Sequence, residues 1–448
     1  MSRERAILHA PIVSTILRLS APNALIVLVQ AAVVVAETVF VGTLGRDALA
    51  ANAVVFPFVV LMQTMSTGAM GGGVSSAVAR ALGAGDSERA RAVALHAIII
   101  ALGFGLFFTV LMQALGPAIY RTLGAEGRVL ELALTYSDLL FAGVVLVWTQ
   151  NTLVSLVRGT GNMKLPTTIM LGSSLLQIVL GFVLTIGVGP VRSIGISGIA
   201  VSLLTASAVG SLATLAFLAA PSARVRLTVV GVRPRPAMFF DIFRVGGVAI
   251  FFSLQNAFAV MVMSGLVAGF GAATVAGYGI GARLEMLQIP IAFGFGAALV
   301  PMVGMNVGAG QIERARRVAL IGSLLAGAVS GLIGLIFAIA PSLWSSLYTA
   351  DIAVQAATAT YLTRVGPTLG AFAFGICLYF ATQGSGRVLG PVLAASGRLV
   401  LIGLGAWAVL AVGWGYDWLC LMVAGAMAAY GLVAYAVLHF STWRRPGG

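Results

Sequence analysis

Residues 83–95 read GAGDSERARAVAL, and 225 positions later residues 308–320 read GAGQIERARRVAL, with ten of the thirteen letters identical. Gly, Ala and Arg are abundant in this chain, so a short chance match carries little weight. Ten matches in register, with Glu88/Glu313, Arg89/Arg314 and Arg91/Arg316 among them, carry more. The offset also holds elsewhere. RGTGNMKLP at 158–166 answers QGSGRVLGP at 383–391, pairing Gly159/Gly384, Gly161/Gly386 and Pro166/Pro391. With a one-residue shift, GTLGRDALAA at 42–51 answers AGFGAATVAG at 268–277. The repeat covers most of both halves.

Composition says what is repeated. Hydrophobic residues make up 60% of the chain and charged residues 9%, with a mean hydropathy of +1.05, whereas a soluble domain carries about 25% charged residues. A helix needs roughly 20 apolar residues to cross about 30 Å of hydrocarbon. About twelve such runs fill the sequence, near 14–41, 48–79, 92–115, 130–157, 165–189, 194–220, 241–270, 273–306, 318–341, 352–382, 389–413 and 418–440. Barrel strands would need short alternating segments, and VALHAIIIALGFGLFFTVLMQAL is continuously apolar instead. The expected fold is an all-α integral membrane protein of about 12 transmembrane helices.

The net charge of +13 does not read as a nucleic-acid surface, because the basic residues are scattered between spans and not gathered on one soluble face. With the amino terminus placed in the cytoplasm, 17 of the 26 Lys/Arg fall on cytoplasmic connections, whereas Arg46, Arg121, Arg128 and Arg192 fall outside. That bias obeys the positive-inside rule and checks the span count, since one missed span would scramble it. Both termini are expected inside, in the cytoplasmic (inner) membrane of the cell. Cys377 and Cys420 both lie in apolar runs, and His9, His96 and His439 are far apart, so neither a disulfide framework nor a metal or catalytic histidine site is expected. The first apolar run lacks a small-residue cleavage site and reads as a retained helix.

Six spans per half is an even number, so both halves insert with the same orientation, as in the parallel class of transporter repeat, about an axis along the membrane normal. The expected organisation is a six-helix lobe over 1–220, a cytoplasmic linker over 221–238 that holds three prolines and four arginines, and a second six-helix lobe over 239–448. The opening motif is the turn between the second and third spans of each half. Gly83 and Gly85 can end a helix, and Asp86 can cap the next one with Glu88 in its first turn. The Gly-Lys-Ser/Thr ending of a phosphate loop is missing. TGAMGGG at 67–73 is too flexible for an ordinary helix interior and marks a bend or a close helix contact.

These paired motifs resemble the multidrug and toxic compound extrusion (MATE) family over essentially the whole chain. The resemblance is carried by the double GAG turn, AETVFVGTLG at 36–45, RGTGNMKLP after the fourth span, GISGIAVS at 195–202 and GYGIGARLEMLQIP at 277–290. It implies a two-lobe bundle that alternates between inward-open and outward-open forms and exchanges an exported organic compound for H+ or Na+. No enzyme activity and no cofactor are expected; a small organic substrate and membrane lipid are the expected partners, and the chain is expected to act as a monomer.

An ionisable side chain within a span costs at least a few kcal/mol, so each is a functional candidate. Glu37 has no basic residue within 18 positions upstream or eight downstream. A carboxyl group so placed can carry a proton, or can be held structurally by Gln, Ser or backbone donors. The resemblance puts an aspartate that binds the coupling cation at this position. It also puts Asn and Asp in the fifth span, where this chain has Gln177 and Gly181, and Thr in the sixth, where it has Ser202. Loss of the second carboxylate argues against a tight Na+ site, which wants several hard oxygen ligands, and leaves Glu37, Gln177 and Ser202 as a proton-coupling cluster with Na+ as the alternative ion. Pro22 removes a helix hydrogen bond 15 residues before Glu37, either as a static kink or, as the resemblance implies, where the first helix bends.

Arg283 and Glu285 sit about 200° apart on the eighth span, too far round to pair, and Glu285 either faces the cavity or is tied to a neighbouring helix. Arg283 and Arg364 are expected to be the only deep arginines. The family's other cation site uses acids in the seventh and tenth spans; here Tyr361, Arg364 and Tyr379 occupy the tenth, and the seventh holds Gln255 and Asn256 with Asp241 at its entrance, so no second-lobe sodium site is expected. Gln150, Asn151, Gln255 and Asn256 either line the cavity or join helices by hydrogen bonds. The reading is an exporter of amphipathic, cationic organic compounds driven by proton entry. A lipid-linked saccharide flippase of related fold is the alternative, and would be expected to carry more cavity arginines; a channel or receptor fits poorly with near-complete duplication.

Overall fold

Without water, backbone N–H and C=O groups must be satisfied within their own segment, and helices do this. The computed structural model describes residues 3–221, 223–227, 234–441 and 443, and among them only an isolated bridge between Val188 and Val191 is not helical or irregular. The linker expected at 221–238 falls in part, at 222 and 228–233, outside the described residues, as do Arg444 and Arg445.

The helices are α1 (Arg3–His9), α2 (Ile12–Gly42), α3 (Arg46–Gly83), α4 (Ser87–Thr122), α5 (Gly127–Ala142), α6 (Val144–Gly159), α7 (Lys164–Ile186), α8 (Ser197–Ala219), α9 (Pro236–Ala268), α10 (Ala272–Gly308), α11 (Ile312–Ile339), α12 (Ser342–Ser345), α13 (Ile352–Ser385), α14 (Leu389–Val412) and α15 (Tyr416–Phe440). Eleven of them are long and apolar enough to cross a membrane, and α5 with α6, bent by 48°, supplies a twelfth span. Large side chains such as Leu28, Leu106 and Leu332 point outward, while small residues let the helices approach. On α11 and α13, a Cβ at Gly334 would run into the Gly366 carbonyl oxygen. TGAMGGG makes the close helix contact expected of it, and a π-helical turn overlaps it. Met65–Met70 forms a π-helical turn within α3, and a Cβ at Gly73 would meet Ile242 O at 2.8 Å.

The duplication is visible in the backbone. Gly85 and Gly310 have φ of +76° and +78°, a left-handed conformation that closes the helix before them. The amide of the next residue reaches back five residues, Asp86 to Ala81 O at 2.9 Å and Gln311 to Asn306 O at 2.8 Å. Asp86 also caps α4 by accepting from Arg89 N at 2.8 Å, whereas Gln311 makes no side-chain cap. Three further pairs share positive φ at an offset of 225 or 226: Gly45/Gly271, Gly161/Gly386 and Gly187/Gly413.

The chain forms two compact units. Leu25–Gly247 forms one unit, while the residues before Leu25 join those from Val248 onward in the other. Each unit thus holds the leading end of the other half's first helix, and the repeated arginines show how. In the unit Leu25–Gly247, Asp241 on α9 pairs with Arg80 at 2.8 Å and with Arg89 at 3.0 Å. His96 Nε2 accepts from the Arg235 amide at 2.8 Å while its Nδ1 lies 2.7 Å from Ala92 O, which fixes the neutral Nδ1–H tautomer, and Phe239 packs edge-on against the ring. In the other unit Arg314, the equivalent of Arg89, donates to the carbonyls of Ile7 and Ala10 just before α2. Asn306 adds a 3.5 Å bond to Ile7 O.

Arg80 is 6% exposed at its side chain and Arg89 is 36% exposed. Asp241→Ala withdraws the carboxylate from a buried guanidinium and should cost about 3–5 kcal/mol, against about 1 kcal/mol or less for Arg89→Ala. Thermal unfolding of the purified chain in detergent reads the order; equal losses would contradict it.

Candidate functional site

In the unit Leu25–Gly247, side chains of α2 and α7 meet, with Phe40 edge-on to Phe182 at 5.6 Å. This contact brings Gln177 to Glu37, and Gln177 Nε2 donates to Glu37 Oε1 at 2.7 Å. Ser202 on α8 is fully buried, but its hydroxyl donates to Ile199 O at 2.9 Å, within its own helix. Gly181 explains the neighbourhood. A Cβ there would stand 3.4 Å from Ser202 Oγ and 3.6 Å from the Phe40 ring, ordinary contact distances, so Phe40 and Ser202 are the neighbours that a fifth-span acid would meet. Tyr136 on α5 is buried and within electrostatic reach of Glu37. Sequence reading missed it, because a tyrosine in an apolar run looks like ordinary core.

Pro22 stands inside a continuous α2, two residues before the point at which that helix passes from one unit to the other. Beside it Asn23 donates to Leu19 O at 3.2 Å and to Gly294 O at 3.5 Å.

The amide pairs divide their work. Gln150 donates to Ser173 at 3.0 Å and Asn151 to Ser66 at 2.8 Å, both joining helices within their unit. In the other unit Gln255 donates to Ser396, and Asn256 accepts from Arg398 Nη2 at 2.8 Å. Tyr361 donates to Glu285 Oε2 at 2.6 Å. Tyr379 stacks on Phe252 at 3.9 Å and reaches Ala249 O at 3.4 Å.

The expectation about deep arginines fails. Arg283 is exposed and lies over the Tyr348 ring at 5.1 Å, and Arg364 is exposed and pairs with Asp417 at 2.8 Å. Among the described residues the buried arginine of that unit is Arg398, 6% exposed, which the sequence expectation leaves out. Helical phase decides this, since Arg283 and Arg364 turn outward and Arg398 turns inward. Its signal was available: Arg398 stands nine residues into an apolar helix that begins at Leu389. Among the described residues no group of three or more His, Cys, Asp or Glu gathers as metal ligands.

Comparison with known proteins gives this geometry its context. The MatE family model matches residues 22–183 and 248–406. The FAD transporter of Shewanella oneidensis is 27% identical over 396 residues, 85% of this chain and 84% of that one. The probable multidrug resistance protein NorM of Thermotoga maritima is 23% identical over 362 residues, 80% of this chain and 77% of that one. A crystal structure of MATE in the straight conformation superposes with a TM-score of 0.89 at 24% identity, covering 98% of each chain. A MOP superfamily transporter from Pyrococcus furiosus, reported for the reverse polarity of its binding pocket, superposes with a TM-score of 0.86 at 24% identity over 98% of this chain and 99% of its own.

The Glu37–Gln177 bond has a charged acceptor when Glu37 is ionised, and such bonds contribute about 1.5–3 kcal/mol. A double-mutant cycle with Glu37→Gln and Gln177→Leu, read by thermal unfolding in detergent, should give a coupling of about 1 kcal/mol or more. Additive losses would mean that the two side chains do not act together.

Proposed function

The chain belongs to the MatE family of multi-pass membrane transporters, and on that premise we propose that it exports amphipathic organic compounds, cations among them, in exchange for protons. The reading rests on one observation, a membrane-embedded carboxylate, Glu37, bonded at 2.7 Å to a neutral amide. An amide can serve both protonation states, because its N–H donates to a carboxylate and its carbonyl accepts from a carboxylic acid. Glu37 can therefore load and release a proton without losing its partner. A sodium cage would want several hard oxygen ligands and matching charge; among the described residues Glu37 has one hydrogen-bond partner, the Gln177 amide, while Ser202 bonds within its own helix and the Tyr136 phenol is within electrostatic reach.

Coupling then needs the proton to bias a structural change. Glu37 and Pro22 share α2, whose leading end belongs to the other unit. A change of charge at Glu37 acts on the helix that joins the units, and Pro22, which lacks one helix hydrogen bond, is the place where that helix bends at least cost. The names of the relatives, a probable multidrug resistance protein, a multidrug export protein and a FAD transporter, support export of varied organic compounds. The bias of Lys and Arg across the spans supports both termini in the cytoplasm.

Efflux of a cationic dye from vesicles under an imposed pH gradient, with sodium absent, tests this reading. Wild type should move the dye, and Glu37→Gln should fall to the passive leak. Efflux that requires sodium, or an unaffected Glu37→Gln variant, overturns proton coupling. Transport of a phosphate-bearing saccharide lipid without dye efflux would make the chain a flippase.

A further inference from the structure

The most unusual side chain outside the Glu37 site is Arg398. It lies on α14, about 21 Å from the Val412 end at 1.5 Å per residue, so its guanidinium is held deep within the helices. A charge at such depth persists only with partners, and its nearest ones are neutral. Nη2 donates to Asn256 Oδ1 at 2.8 Å. Phe372 and Tyr430 cover the cation, with ring centroids 4.7 and 5.9 Å from its carbon.

A structural arginine of this kind would be expected to form an ion pair with the nearest acid. Glu285 is within electrostatic reach of Arg398, yet among the described residues no ion pair joins them, and the carboxylate instead accepts from Tyr361. The two opposite charges are each held by a neutral group and left unneutralised by contact. Guanidinium has five N–H donors, and among the described residues Asn256 is its one hydrogen-bond acceptor. The Tyr430 hydroxyl, on a ring that covers the cation, is a buried donor with no partner among the described residues. A buried hydroxyl left unpaired carries a desolvation cost, so it is short of an acceptor beside an arginine that holds one.

We propose that Arg398, with the Tyr430 hydroxyl beside it, receives an anionic oxygen group of the transported compound, a carboxylate or a phosphate. Such a group supplies the planar acceptors that guanidinium matches in pairs. With Glu285 nearby, the same place accepts a compound that carries both signs of charge. To the cations expected from the acids alone this adds a preference for compounds bearing an acidic group as well. The equivalent register of the first half holds Ser173, which bonds Gln150, so the first half has no counterpart to this site.

This inference rests on the reading of the chain as an exporter, but its test is equilibrium binding to the purified full-length chain in detergent, read by probe fluorescence anisotropy. Two matched pairs serve as probes: flavin mononucleotide against riboflavin for a phosphate, and rhodamine 110 against its methyl ester rhodamine 123 for a carboxylate. Wild type should prefer the acidic member of at least one pair by roughly tenfold or more, and the pair that shows it names the acid. Arg398→Gln should bring that ratio to about one, Arg398→Lys should keep part of it, and Tyr430→Phe should lower it severalfold. Asn256→Asp keeps the arginine and gives it a carboxylate of its own, so it too should remove the preference. Ratios near one in the wild type, or an unchanged ratio in a folded Arg398→Gln or Asn256→Asp protein, overturn the proposal. Absence of proton-driven dye efflux with the binding ratios intact would instead count against the exporter reading alone.

Discussion

Hydrocarbon offers a polar group no partner, so the backbone donors and acceptors of each span have to be answered by the chain itself. That constraint dictates the helices first and the side chains second. Where charge stands near the ends of helices or in the open, opposite charge meets it directly, as Asp241 meets Arg80 and Arg89 and as Asp417 meets the exposed Arg364. Deeper in, the pattern changes. Glu37 is held by Gln177, Glu285 by Tyr361 and Arg398 by Asn256, each a charge with a neutral partner. A neutral partner orients a charge without cancelling it. The ion pairs fix the scaffold, and the charges that remain can still act on a proton or a substrate.

The scaffold was legible because its signals are long and redundant. Twelve apolar runs, a repeated turn and a biased distribution of arginines each report the same architecture, and Gly85 and Gly310 stand in matching left-handed turns because both copies need the same backbone. The sites were less legible because a side chain's partner depends on helical phase and on helices distant in sequence. Glu37 announced itself as an acid among apolar neighbours, and Gln177 could be attached to it through family resemblance. Nothing in the spacing of Ser202 said that its hydroxyl would turn back to Ile199. Arg283 and Arg398 look alike in sequence, yet the first faces out and the second in.

The two halves thus share a frame and differ in chemistry. The second half has no acid in the register of Glu37, where Met263 stands near by, and the first has Ser173 in the register of Arg398. Identical turns at Gly85 and Gly310 constrain where helices begin and end, and leave the residues that face inward between them unconstrained. Duplication fixed the backbone, and the inward positions were then free to diverge.

Arg89 and Arg314 do more than mark that duplication. Each repeat grips the leading end of the other repeat's first helix, so the residues before Leu25 and those of Pro236–Gly247 are exchanged between units. If the two repeats were unlinked six-span chains, the same grips would make a domain-swapped homodimer, each subunit lending its amino-terminal segment to its twin. A single six-span chain would lack a home for that segment. The fold is one that a fused gene stabilises by making the exchange intramolecular, at the high effective concentration that a linker provides.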